Sequence, residues 1–261
     1  MNFSALNIGV IGTTSWGTTL ALHLAQLGHK VYLWARTPEE AQQLRHDGEN
    51  RRFLPGIPFT GSLHVTAEDA RLRDAAMTIF AVPSKTLRLN VKRLKQHLTT
   101  ETAIVSATKG LETTTGLRMS QVLAEELPSA FESRICVLSG PNLSAEIARG
   151  LPASTVIASK NTTLAQQVQR AFVSPQFRVY TNSDVIGVEL GGSLKNIIAL
   201  GAGIADGLGL GNNSKSAFIT RGLVEITRLG VAAGANPITF SGLAGLGDLI
   251  ATTASPLSRN R

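Results

Sequence analysis

Val10-Ile11-Gly12-Thr13-Thr14-Ser15-Trp16-Gly17 decides how this chain reads. A β-branched run, Asn7–Ile11, leads into it. An apolar stretch at helical spacing, Trp16–Leu27, leads out, with Gly28 placed to end that helix. Gly12 suits a tight turn and Gly17 suits close helix–strand packing, while free N–H groups at the helix start can hold a pyrophosphate. The middle glycine of G-x-G-x-x-G is Thr14 here. Its side chain could crowd a pyrophosphate or donate a hydroxyl to it. Taken alone, G-x-x-x-x-G fits a purely structural turn equally well. Its position at the head of a strand–helix–strand unit favours dinucleotide binding.

Outward from the loop, strands are expected at Lys30–Ala35, Met77–Ala81, Ala103–Ala107, Arg134–Leu138, Ala153–Ala158 and Arg178–Thr181, alternating with helices. Thr37 as N-cap, Pro38 at the first position and Glu40 closing a capping box open the second helix, and Asp47-Gly48 ends it. After about Asn182 the alternation stops. Asp184–Ala205 and Lys215–Ala233 read as long helices joined by the glycine-rich Gly207–Gly211. The expected fold is α/β: an N-terminal Rossmann-like, mostly parallel sheet domain over residues 1–184, then an all-α substrate domain over residues 185–261.

Composition suits a globular protein, with 43% hydrophobic and 16% charged residues. The single cysteine, Cys136, cannot form an internal disulfide. The N-terminus lacks the basic-then-apolar pattern of a signal peptide, and the longest apolar runs read as too short to span a bilayer. The expectation is a cytoplasmic protein with no integral membrane segment. Net charge is +7, nearly all of it in the first 180 residues. That excess can steer phosphorylated ligands. It is scattered, and the one short cluster, Lys92-Arg93-Leu94-Lys95, reads as a solvated helix face, so no nucleic acid partner is expected.

Three further places carry chemistry. The second strand ends in Arg36, where NAD enzymes commonly hold an acid for the ribose hydroxyls; an arginine there could clamp a 2′-phosphate, so NADPH is expected over NADH, with NADH also usable. Lys195 is the only charged residue between Glu189 and Asp206, with Gly191 and Ala199 one turn to either side to admit a ligand. Desolvation there would bring its pKa toward an acid–base range, although a lysine snorkelling from a core helix and glycines serving only helix packing fit as well. Lys109 follows a buried strand, at the end of the sheet where ligands bind, and Leu138–Glu146 joins a strand end, a Gly-Pro turn and a helix start.

Together these segments resemble the bacterial-type NAD(P)-dependent glycerol-3-phosphate dehydrogenases. The likeness runs from Ile8 to the last residue and is most specific in Ala107–Glu112, Gly187–Asn196, Ala244–Leu249 and Ser258–Asn260. It implies reduction of dihydroxyacetone phosphate to sn-glycerol 3-phosphate, feeding phospholipid synthesis. Lys195 then matches the proton acceptor, and Lys109 touches both substrate and cofactor. Gly140, Asn142, Asp248, Ser258, Arg259 and Asn260 match the substrate shell. Gly12, Ser15, Trp16, Gly17, Arg36, Ser144 and Arg259 match cofactor contacts, no metal is implied, and a homodimer is expected. Thr14 departs from a glycine usual in the family, Asn142 from Ser or Thr, and Ser144 from Ala. Members continue several dozen residues past the position of Arg261, supplying helices and a cofactor-holding glutamate. The chain therefore reads as C-terminally truncated, with a marginal, aggregation-prone second domain. The alternatives are a non-catalytic nucleotide-binding fragment and a related hydroxy-acid dehydrogenase.

Overall fold

The computed structural model describes residues 5–255. Its first part contains β1 (Asn7–Ile11), α1 (Ser15–Gln26), β2 (Lys30–Trp34), α2 (Pro38–Asp47), β3 (Glu49–Asn50), β4 (Leu54–Pro58), β5 (Leu63–Thr66), β6 (Met77–Phe80), α3 (Ser84–Leu94), β7 (Ala103–Ser106), α4 (Met119–Glu126), β8 (Ile135–Ser139), α5 (Ser144–Ala148), β9 (Ala153–Ala158), α6 (Thr162–Phe172) and β10 (Phe177–Asn182). The remainder is helical: α7 (Val185–Gly207), α8 (Gly211–Ala232), α9 (Pro237–Phe240), a π-helical turn at Leu243–Gly247, and α10 (Asp248–Ala254).

Eight strands form one sheet in the order β10-β9-β8-β7-β6-β1-β2-β5, and every pairing is parallel except β8 with β9. The central strands β6, β7 and β8 are buried along their whole length and mostly apolar because helices cover both faces. Val10, Leu33, Ile79, Val105 and Leu138 enter one core; Ile11, Phe80 and Ile104 pack with Leu87, Val91 and Val122 in the other. Cys136 lies in the first core, where burial pushes its thiol to about 12, so it is an inert packing group.

The seven expected strands are present with end shifts of one residue at most. β3, β4 and β5 were not expected, because Pro55, Gly56, Pro58 and Gly61 punctuate that stretch as a loop. The short antiparallel β3–β4 pair and the edge position of β5 accommodate those breaks. The start of α2 differs from expectation in one respect. Thr37 caps it by accepting from Glu40 N at 3.2 Å, but the Glu40 carboxylate does not return to Thr37. It accepts instead from Arg36 N at 3.0 Å and from the Thr13 hydroxyl at 2.5 Å. The Lys92–Lys95 cluster is likewise not simply solvated: Arg93 pairs with Asp69 and lies over the Trp34 ring, 4.7 Å from its centroid.

Asp184 caps α7 through Gly187 N and also accepts from Asn236 N and the Thr239 hydroxyl, so one carboxylate fixes the starts of α7 and α9 together. Close packing of α7 on α8 needs glycine. A Cβ on Gly222 would come within 2.6 Å of Ile198, and one on Gly201 within 2.3 Å of Phe218. Although its apolar runs are short, α7 as a whole is long and apolar enough to cross a membrane. Most of it is nevertheless buried in the protein, and it carries the buried, ion-paired Glu189 and Lys195, as a core helix does.

Ile197, Leu200 and Ile204 on α7 and Leu208 at its C-cap recur at helical spacing and are all more than half exposed. Such a contiguous apolar stripe drives self-association in water. Replacing Leu200 and Ile204 together by glutamate is expected to reduce concentration-dependent light scattering and dye binding to exposed apolar surface. Unchanged scattering would show that the stripe is not the adhesive surface.

Candidate active site

The fingerprint loop forms as its glycines require. Gly12 has φ +109°, and a Cβ there would meet Ala81 O at 2.8 Å, while one on Gly17 would meet Gly12 O at 2.0 Å. Thr14 is the N-cap of α1 in extended backbone. Its hydroxyl accepts from Gly17 N at 3.0 Å and donates to Ala81 O at 2.9 Å. The hydroxyl is thus occupied in holding the loop, and is not spare for a pyrophosphate. The first-turn N–H groups of Ser15 and Trp16 have no intrahelical acceptor, and no acid lies in that turn. Trp16 Nε1 is buried without a hydrogen-bond partner among the described residues. A helix start with free donors, a glycine cradle and an orphaned indole N–H fits an anionic dinucleotide. Arg36 is exposed just beyond β2, and Ser144 opens α5, its carbonyl receiving the Thr19 hydroxyl at 3.3 Å.

At the same end of the sheet, α7 brings Lys195 against α10. Its ammonium donates to Asp248 Oδ1 and to the Thr252 hydroxyl. The other carboxylate oxygen of Asp248 accepts from Lys109 Nζ at 2.5 Å, and Lys109 also donates to Gly140 O at 3.2 Å. One buried carboxylate is therefore shared by two lysines, one from the loop after β7 and one from α7. Lys195 and Asp248 are 7% and 2% exposed, whereas the Lys109 side chain keeps a quarter of its surface in solvent. Burial is the largest influence on Lys195 and lowers its pKa to about 8. The neighbouring Lys109 charge acts in the same direction, and Asp248 opposes both. Such a group can give and take protons near neutral pH.

Gly191 does not leave space for a ligand, as its position suggested. A Cβ there would meet Ala244 O at 2.8 Å, so this glycine lets the Leu243–Gly247 turn close on α7 and sets Asp248 beside Lys195. Gly192 serves β8 in the same way, lying against the buried, unpartnered Ser139 Oγ. Gly140 has φ +156°, and its carbonyl faces Lys109. The Asn142 amide is held at both ends, donating to Ser154 O at 3.1 Å and accepting from the Thr155 hydroxyl at 2.9 Å. Gly110 N donates to Ser193 Oγ at 3.0 Å, a second tie between the Lys109 loop and α7. The buried Glu189 carboxylate ties α7 to the start of α4, accepting from Ser120 N and Oγ and from Arg118.

Thr252 and Ser193 were not anticipated as site groups. Thr252 was legible in principle, four residues after Asp248 and so on its helix face. Ser193, two residues from Lys195, had no distinguishing signal. Ser258, Arg259 and Asn260 lie outside the described residues.

A dinucleotide cradle on a parallel sheet, facing a lysine with lowered pKa on an appended helical unit, defines a two-part nicotinamide-dependent dehydrogenase. Residues 7–165 match the NAD-dependent glycerol-3-phosphate dehydrogenase N-terminus and residues 184–261 the corresponding C-terminus. The chain belongs to this family of NAD(P)-dependent oxidoreductases. It is 55% identical over 253 residues to the glycerol-3-phosphate dehydrogenase [NAD(P)+] of Dehalococcoides mccartyi, covering 96% of this chain and 70% of that one. With the enzyme of the same name from Moorella thermoacetica it shares 50% identity, over 98% and 75% of the two chains. The crystal structure of glycerol-3-phosphate dehydrogenase from Coxiella burnetii superposes with a TM-score of 0.91 at 39% identity, over 98% of this chain and 78% of that one.

Removing one partner of a buried ion pair leaves an uncompensated charge. Asp248→Asn is expected to destabilise the fold by about 3 kcal/mol at pH 7 in denaturant unfolding. With the carboxylate gone, the folded-state pKa of Lys195 falls still further below its unfolded value. The variant's folded lysine then sheds its proton below the wild-type value of about 8, so the loss should shrink as pH rises toward 8 and stay level above it. A loss that is constant with pH would show that the lysine charges are not its cause.

Proposed function

We propose that this site interconverts dihydroxyacetone phosphate and sn-glycerol 3-phosphate, with Lys195 as the acid–base group and NADPH as the preferred cofactor. The observation that carries the reading is the Lys195–Asp248–Lys109 triad at the sheet end that holds the fingerprint loop. Residues 1–184 hold the cofactor and residues 185–261 present the lysine to the substrate.

A nicotinamide cofactor held by Gly12, Ser15, Trp16 and Gly17 would supply or take up the hydride exchanged at C2 of the substrate. Protonated Lys195 delivers its proton to the C2 oxygen as negative charge develops there. In the oxidative direction the neutral amine removes that proton. Burial keeps the neutral form accessible, and Asp248 holds the ammonium in place and keeps it chargeable. Thr252, itself donating to Asp248 O, fixes the position of Nζ. Lys109 is the more exposed of the two lysines and suits the dianionic phosphate and the cofactor together. Gly140 and Asn142 shape the adjoining wall of the substrate site. By the family pattern Ser258, Arg259 and Asn260 match substrate-binding positions, and Arg259 also a cofactor contact.

Gly12 and Gly17 let the pyrophosphate approach, Ser15 and Trp16 supply donors, and Ser144 lies on the neighbouring helix start. Arg36 meets the adenosine 2′-phosphate, the feature that favours NADPH. The supply of glycerol 3-phosphate to phospholipid synthesis in the cytoplasm, by a homodimer, follows from the same reading.

Following NADPH absorbance with dihydroxyacetone phosphate, Lys195→Met should lower kcat by about 10²–10⁴-fold, in protein that a melting curve shows to be folded, since Asp248 keeps Lys109 as its partner. Full activity in this variant would remove Lys195 from the mechanism.

A further inference from the structure

The strand end that reads as lacking an acid acquires one from the next helix. Glu40, in the first turn of α2, turns its carboxylate away from its own N-cap and places it between the two segments that flank an adenosine ribose in this fold. Oε2 accepts from the backbone N–H of Arg36, the position that selects between ribose 2′-substituents. Oε1 accepts from the hydroxyl of Thr13, inside the fingerprint loop. Thr13 is held from its other side as well: Asn50, buried at 2% exposure, donates to its carbonyl at 2.8 Å and to the Thr18 hydroxyl at 2.7 Å. The carboxylate is therefore fixed in a built network, and each oxygen retains acceptor capacity. Arg36 is exposed and Glu40 half-buried, and the backbone hydrogen bond between them puts both residues at the end of β2.

We infer that Glu40 is a cofactor-specificity residue, whose carboxylate accepts from an unphosphorylated ribose and repels a 2′-phosphate, setting the NADPH-to-NADH balance against Arg36. The inference rests on the dinucleotide-binding reading of the loop, and it holds whichever cofactor the protein prefers. A capping residue alone would stabilise α2 without discriminating between two ligands that differ by one phosphate. Charge at the ribose edge discriminates directly.

The test is the dissociation constants of NADPH and NADH, read from nicotinamide fluorescence with no substrate present, in wild type, Glu40→Gln, Glu40→Ser and Arg36→Gln. A melting curve accompanies each variant. Both Glu40 variants should shift the NADPH-to-NADH affinity ratio toward NADPH by roughly fivefold, the effect of removing one partly exposed like charge. The shift should be largest at low salt. A ratio unchanged in either folded Glu40 variant, including equal losses for both ligands, overturns the inference. Arg36→Gln separates the two claims, since it should move the ratio toward NADH. If it leaves the ratio unmoved while the Glu40 variants shift it, the role of Arg36 fails and that of Glu40 stands.

Discussion

The structure turns on one buried carboxylate. Asp248 lies almost wholly out of water and would be costly there alone. It is sustained by two ammonium groups from different parts of the chain: Lys109 from the loop after β7, and Lys195 from the middle of α7. The pairings run over 139 and 53 residues of sequence, so the charge cluster forms only when the sheet and the helices have docked. The same contact that joins the two parts of the fold thereby sets the proton affinity of Lys195.

Other features serve this contact. Gly191 and Gly192 remove side chains where the Leu243–Gly247 turn and β8 must touch α7, which brings the start of α10 to Lys195. Glu189, one and two-thirds turns earlier on α7, accepts from Ser120 and Arg118 at the start of α4 and resists rotation of the helix. Ser193 receives Gly110 N, so the residue after Lys109 is tied directly to α7. Burying three charges in a small volume is poor for stability compared with apolar packing. The return is chemical, since a fully solvated lysine would stay protonated well above neutral pH and could not act as a base there.

Much of this was legible in the sequence. Alternating β-branched runs and helical stretches marked seven of the eight strands of the main sheet, because strands buried on both faces are mostly apolar. The isolation of Lys195 in an apolar helix marked it as a group needing a partner. Which partner was not legible from local pattern, because Asp248 lies 53 residues away and only tertiary docking brings it near. The family likeness named Asp248 as a substrate-shell residue; the geometry shows that it also pairs both lysines. Glycine at 191 fitted both ligand space and close packing, and the structure selects packing, a distinction that spacing on one helix cannot make. Glu40 shows the same limit. The S/T-x-x-E pattern specifies the capping geometry of Thr37, but a carboxylate three bonds from its backbone can turn either way, and Thr13 lies 27 residues upstream.

The central claim is that burial and the shared carboxylate together place the Lys195 proton affinity near neutral pH. The most direct measurement is the pH dependence of kcat/KM for sn-glycerol 3-phosphate oxidation, in wild type and in Asp248→Asn. The account predicts a rise with pH through an apparent pKa of about 8 in wild type. In the variant that limb should move to lower pH, because the charge favouring the ammonium is gone. A wild-type limb near the value of a free lysine, or one that the Asp248 substitution leaves in place, would contradict it.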